Sequence, residues 1–212
     1  MTQEGVSLAD TYDPRPSRQT ANPFRGWLLD VVVDEVDLGA AGLVSRECVR
    51  HPGAVAVLAL DDDGRVALVN QYRHAVRSRM WEVPAGLLDQ AGEDPLAAAR
   101  RELAEEADLR AGRWDVLVDY LSSPGFSDEA IRVFLARDLS EVPVAERHQR
   151  TEEEADFVVH WEPLSDVVAA VLAGDLASPT LALASLAAHT ARQAGWAPLR
   201  PADSPWRHRP SH

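Results

Sequence analysis

The chain has 212 residues, enough to bury a full core and most simply one domain with an appended element. Its 34 Asp and Glu against 21 Lys and Arg give a formal charge of −13, with the arginines scattered among more numerous acids, which excludes nucleic acid as an expected partner. The single cysteine, Cys48, leaves no internal disulfide framework, and no apolar run approaches the roughly 20 residues of a membrane span, so a cytoplasmic protein without a membrane partner is expected.

Residues 1–22 are polar and Pro-bearing without periodicity, which predicts a mobile arm. Strands are expected over Trp27 to Val36 and about 42–50, forming a small β-sheet element across 23–52 that ends near the Pro52-Gly53 break. Strand-like runs follow at Ala54 to Leu60 and Val66 to Tyr72, joined by an Asp61-Asp62-Asp63-Gly64 hairpin turn. A helix is predicted over about 95–107, with Asp94 as cap and Pro95 at the first helical position. Further strands are expected at Trp114 to Leu121, Ile131 to Ala136 and, after an acidic loop at 145–156, Phe157 to Trp161. Two helices complete the pattern: Leu164 to Ala173, stopped by Gly174, and Pro179 to Ala194, capped by Ser178 and ended by Gly195. Residues 196–212 read as a Pro-rich tail after a main domain at 53–195. The class is α/β with a mixed sheet.

The chemistry concentrates at 86–109, GLLDQAGEDPLAAARRELAEEADL. At about 100° per residue, Glu102, Glu106 and Glu105 lie roughly 100°, 60° and 160° from Leu103, all on one side of the helix. Leu96, Ala99 and Leu103 form the opposing apolar stripe, so the acidic flank is expected to face a cleft or solvent. Neighbouring carboxylates repel unless a cation lies between them, and hard oxygen donors suit Mg²⁺ first, leaving positions for water and phosphate oxygens. Taken alone, the run also describes a solvated Glu-rich face. The seven histidines show no helix-spaced pair or Cys/His cluster and read as structural or surface residues.

Gly86, Glu93, Arg101, Glu102, Leu103, Glu105, Glu106 and Leu109 together resemble the Nudix box, which runs G, five residues, E, seven residues, R-E-U-x-E-E-x-G-U, with U aliphatic. Two positions depart from it. Six residues separate Gly86 from Glu93, lengthening a loop, and Asp108 replaces the second glycine, where Asp tolerates left-handed backbone better than most residues. The resemblance implies an α/β/α sandwich, hydrolysis of nucleoside diphosphates linked to another group, and Mg²⁺ or Mn²⁺ with two or more ions per site. It implies metal ligation by Glu102, Glu105, Glu106 and the carbonyl of Ala85, with Arg101 orienting a box glutamate.

Ser123-Pro124-Gly125-Phe126-Ser127-Asp128-Glu129, its proline 15 positions beyond Leu109, is similar to the mark of the ADP-ribose pyrophosphatase subfamily. Arg46-Glu47 ahead of His51-Pro52-Gly53-Ala54-Val55, Gln71-Tyr72-Arg73-His74, and Trp81-Glu82-Val83-Pro84-Ala85-Gly86 point the same way. The subfamily resemblance implies a nucleotide-sugar substrate: Arg73 on the diphosphate; Arg46 and Glu82 at the adenine end; Ser123, Pro124, Gly125 and Glu129 at the ribose regions; and Glu47 and Leu87 as further substrate contacts, while Phe24 or Trp27 are the aromatic candidates for adenine stacking. It also implies a homodimer with shared sites, built by exchange of the N-terminal sheet. The resemblance also implies a catalytic base from a loop far past the box, the place that Thr151-Glu152-Glu153-Glu154-Ala155-Asp156 occupies, at Glu153, or at Glu152 or Glu154 if the loop shifts by one. The alternatives are a pyrophosphatase for ADP-glucose or GDP-mannose, and a non-catalytic nucleotide-sugar sensor.

Overall fold

The structure, a computed structural model, describes residues 8–90, 92–149 and 158–210. Its contacts divide the chain into two units, one ending at Arg50 and the other starting at His51. The first unit is an antiparallel sheet of β1 (Ser17–Arg25), β2 (Asp30–Asp37) and β3 (Leu43–Arg50), in the order β1-β2-β3. β1 begins inside the stretch expected to be an arm. Its residues are nearly all exposed, so no apolar alternation marks it, and its register shifts twice between Gln19 and Phe24, around Pro23, which has no N–H for a ladder. Arg18 pairs with Glu35 across the strands at 3.0 Å.

The second unit carries β4 (Ala54–Ala59), β5 (Arg65–Arg73), β6 (Ser78–Glu82), β7 (Ala85–Leu87), α1 (Pro95–Ala107), β8 (Leu109–Leu121), β9 (Ala130–Glu141), β10 (His160–Pro163), α2 (Leu164–Ala173), α3 (Pro179–Gln193) and β11 (Arg200–Pro201). One sheet runs β11-β8-β9-β4-β7, with β4 and β9 parallel and the other pairs antiparallel; another runs β10-β5-β6. The sheet is therefore mixed, as expected.

β4 explains the layering. All six of its residues are buried, which is why Ala-Val-Ala-Val-Leu-Ala shows no polar alternation. Successive side chains point to opposite faces. Ala54, Ala56 and Leu58 join the core cluster that holds Leu164, Val167, Leu181 and Ala184 of α2 and α3. Val55, Val57 and Ala59 join the cluster that holds Ala98, Ala99 and Leu103 of α1. Helices thus cover both faces, giving the α/β/α sandwich. Among the described residues, no helix is long and apolar enough to cross a membrane.

Candidate active site

Local chemistry fixes both ends of α1. The Asp94 carboxylate accepts the N–H groups of Leu96 and Ala97, and Pro95 starts the helix. Asp108 stops it at φ 55° and ψ 33°, the left-handed conformation that glycine would adopt most easily. Between these ends, Ala99 and Leu103 seat the helix on β4.

The acidic flank lies deeper than a solvated or open-cleft face would: Glu102 and Glu106 are only 8% and 7% exposed. Strand β7 accounts for part of this burial. The Ala85 N–H donates to Oε2 of Glu106 at 2.9 Å. Gly86 lies so close to Glu102 that a Cβ would overlap its carboxylate, so this approach requires a residue without a side chain.

Two buried carboxylates need compensating charge and hydrogen bonds. For Glu102, Arg101 supplies both, donating through Nη1 to its Oε1 at 2.6 Å, and the same Nη1 reaches Oε2 of Glu105 at 3.3 Å. Its other edge meets Glu93 at 3.2 and 3.1 Å. The hydrogen bond that Arg101 donates to Glu93 is the largest influence raising the Arg101 pKa; burial opposes it, and Glu102 adds to the rise. Glu93 belongs to the sequence pattern without an assigned role there, and its partnership with Arg101 across the preceding loop is visible only in the folded chain.

Among the described residues, no group of three or more His, Cys, Asp and Glu side chains forms a metal-holding arrangement. The donors still suit a hard divalent cation in kind. Glu102, Glu105 and Glu106 offer carboxylate oxygens from one helix flank, and glycine at position 86 keeps Cβ bulk away from Glu102.

Arg73 and Glu82, expected at different parts of a substrate, are partners here. Nη2 of Arg73 reaches Oε2 of Glu82 at 2.6 Å, and Nε lies 3.2 and 3.1 Å from the two carboxylate oxygens. Leu87 ends β7 opposite Ala54 and is half-buried. Ser123 to Gly125 form a turn in which the Ser123 carbonyl accepts the N–H groups of Phe126 and Ser127. Glu129 accepts from the Ser122 hydroxyl and lies 3.7 Å from Nε2 of His51. The His51 N–H donates to Asp128 at 2.9 Å, a network that the expectation of a structural or surface histidine leaves unspecified.

The Tyr120 hydroxyl lies 2.6 Å from that of Thr180. Burial raises its pKa, the Thr180 hydrogen bond opposes the rise, and the carboxylates of Glu129 and Glu82 add to it. Arg46 and Glu47 lie on β3 in the first unit, opposite Asp34 and Val33, and Phe24 and Trp27 of that unit are 55% and 92% exposed. Glu153, with Glu152 and Glu154, lies outside the described residues.

Residues 49–182 match the NUDIX domain. The ADP-ribose pyrophosphatase of Mycobacterium tuberculosis is 47% identical over 178 residues, covering 84% of this chain and 84% of that protein. The ADP-ribose pyrophosphatase of Bacillus subtilis is 43% identical over 117 residues, or 55% of this chain and 63% of that protein. A crystal structure of an ADP compounds hydrolase superposes with a TM-score of 0.65, covering 87% of this chain and 99% of that one at 19% identity, a likeness of fold.

Proposed function

The chain belongs to the Nudix family and is a Nudix hydrolase, and on that premise we propose that it hydrolyses the pyrophosphate of ADP-ribose to AMP and ribose 5-phosphate. The observation that carries this reading is the buried pair Glu102 and Glu106 beneath Ala85 and Gly86, with Arg101 tied to Glu93, Glu102 and Glu105. Similarity to two ADP-ribose pyrophosphatases supports the choice of substrate.

Mg²⁺ or Mn²⁺, two or more ions per site, would be held by Glu102, Glu105, Glu106 and the Ala85 carbonyl, and would supply charge neutralisation and an acidified water. The protein's own groups do the remaining work. Arg101 keeps Glu102 and Glu105 oriented, and Glu153 accepts the proton leaving the attacking water. Arg73 binds the diphosphate, a role suited to a planar guanidinium whose fork of donors matches phosphate oxygens. Arg46 and Glu82 serve the adenine end, Ser123, Pro124, Gly125 and Glu129 the ribose regions, and Glu47 and Leu87 are further substrate contacts. The working form is a cytoplasmic homodimer with shared sites, assembled through the N-terminal sheet.

The test is turnover of ADP-ribose, ADP-glucose, GDP-mannose and a dNTP with Mg²⁺, with products resolved by ion-exchange chromatography. AMP forming fastest from ADP-ribose is the expected result. Faster cleavage of another sugar nucleotide would overturn the substrate assignment while leaving the carboxylate assignments standing.

A further inference from the structure

The segment after α3 is anchored at an unusual point. Its strand β11 pairs with β8, Arg200 opposite Val116 and Pro201 opposite Asp115. On β9, Arg132 is 3% exposed and holds both oxygens of Asp119 at 2.8 and 3.0 Å. It also donates to the carbonyls of Ser204 at 2.7 Å and Pro205 at 3.0 Å, and its guanidinium lies 5.0 Å from the Trp206 ring centroid. A buried guanidinium needs partners for its five donors, and the main chain at 204 and 205 provides two acceptors.

From this anchor the chain runs to the loop ahead of α1. Nη2 of Arg209 donates to the Glu93 carbonyl at 3.0 Å. The ring of Pro210 packs 3.3 Å from where a Gly53 Cβ would stand, and the Gly53 carbonyl accepts the Leu88 N–H at 3.0 Å. Residues 209 and 210 therefore bear on the 88–94 loop at both ends, through Gly53 at its start and directly at Glu93. This is the loop that has one residue more than the sequence pattern.

We infer that Arg209 is a positioning residue, fixing the main chain at Glu93 so that the Glu93 carboxylate meets Arg101 with both oxygens and Arg101 in turn holds Glu102 and Glu105. Its catalytic consequence rests on the hydrolase reading above; its effect on the loop does not. Partners one step outside a site commonly change activity about 10- to 100-fold, and Arg209 lies a step further out, so a loss of roughly threefold to tenfold is expected.

The experiment uses the full chain with Arg209→Ala, Arg209→Lys, Glu93→Gln and the Ala/Gln double substitution. Hydrogen exchange is followed by mass spectrometry, and ADP-ribose kinetics with Mg²⁺ are measured in parallel. Arg209→Ala should speed exchange of the 88–94 amides by roughly threefold to tenfold and leave β8 and β9 unchanged. It should lower kcat by a similar factor at nearly constant KM, Arg209→Lys should restore most of the loss, and the double variant should be no slower than Glu93→Gln alone. Unchanged exchange at 88–94, faster exchange throughout the molecule, or additive kinetic losses would each overturn the inference. If the wild-type chain leaves ADP-ribose intact, the substrate reading fails, and the exchange measurement still decides the role of Arg209.

Discussion

Gly86 and Glu102 approach so closely that a methyl group in place of one glycine hydrogen would overlap the carboxylate. Gly86→Ala must therefore push either β7 or the Glu102 side chain out of place. Displacing a catalytic group by about 1 Å can cost roughly a hundredfold in rate, and a fall of that order in kcat/KM is expected. Steady-state kinetics on the folded variant measure it; unchanged kinetics would mean the strand can move aside at no cost.

Glu106→Gln keeps the size of the side chain and an oxygen able to accept the Ala85 N–H, so the fold should persist. What it removes is a carboxylate charge from a buried oxygen set. Turnover is expected to be nearly abolished, with weakened Mn²⁺ binding in a calorimeter and an unaltered circular dichroism spectrum. Wild-type turnover would remove Glu106 from the metal-binding set.

Glu153→Gln is expected to lower kcat with substrate affinity largely kept, because losing a base slows proton transfer without removing a binding contact. Glu152→Gln and Glu154→Gln are the controls. An equal loss in all three variants would show that the acidic run acts collectively, and the greatest loss at a neighbour would move the assignment by one residue.

Leu103 is fully buried between α1 and β4. Leu103→Ala should cost about 2–5 kcal/mol of stability, as truncation of a buried leucine generally does. Urea unfolding followed by tryptophan fluorescence checks this, and a change below about 1 kcal/mol would imply that the helix settles into the gap.

Tyr120 predicts a loss of stability in alkali. Its folded-state pKa is raised above the ordinary value of 10.0, chiefly by burial, so the unfolded chain releases this proton first as pH rises. The contribution is fully present below pH 10.0 and disappears as pH climbs through the higher folded-state value. Melting temperatures from pH 8 to 11 should fall more steeply for the wild type than for Tyr120→Phe; parallel curves would contradict the shift.

Features set by neighbours in sequence were legible before the structure. Asp94, Pro95 and Asp108 bound α1 where local capping rules put them, and the unbroken apolar run of β4 marked a buried strand. β1 escaped because its exposed side chains give no alternation, and β6 because Ser78–Glu82 mixes polar and apolar residues at a hairpin edge. In the site, the spacing of Glu102, Glu105 and Glu106 placed them on one helix flank. The Arg73–Glu82 pair depends on the β5–β6 register, and the grip of Arg132 on residues 204 and 205 joins distant parts of the chain. Local patterns encode neither relationship.

β4 also bears on how the protein must be made. Ala54–Ala59 is six uncharged apolar residues without proline or glycine, the kind of segment that stacks readily with copies of itself when exposed. Its parallel partner, β9, begins only at Ala130, and the helices that cover one of its faces begin at Leu164. During synthesis the strand leaves the ribosome well before its covering is complete, so in that interval it is open to pairing with other nascent copies. Slower elongation after β4, or crowding by other nascent copies, would reduce the yield while leaving the stability of the finished fold unchanged.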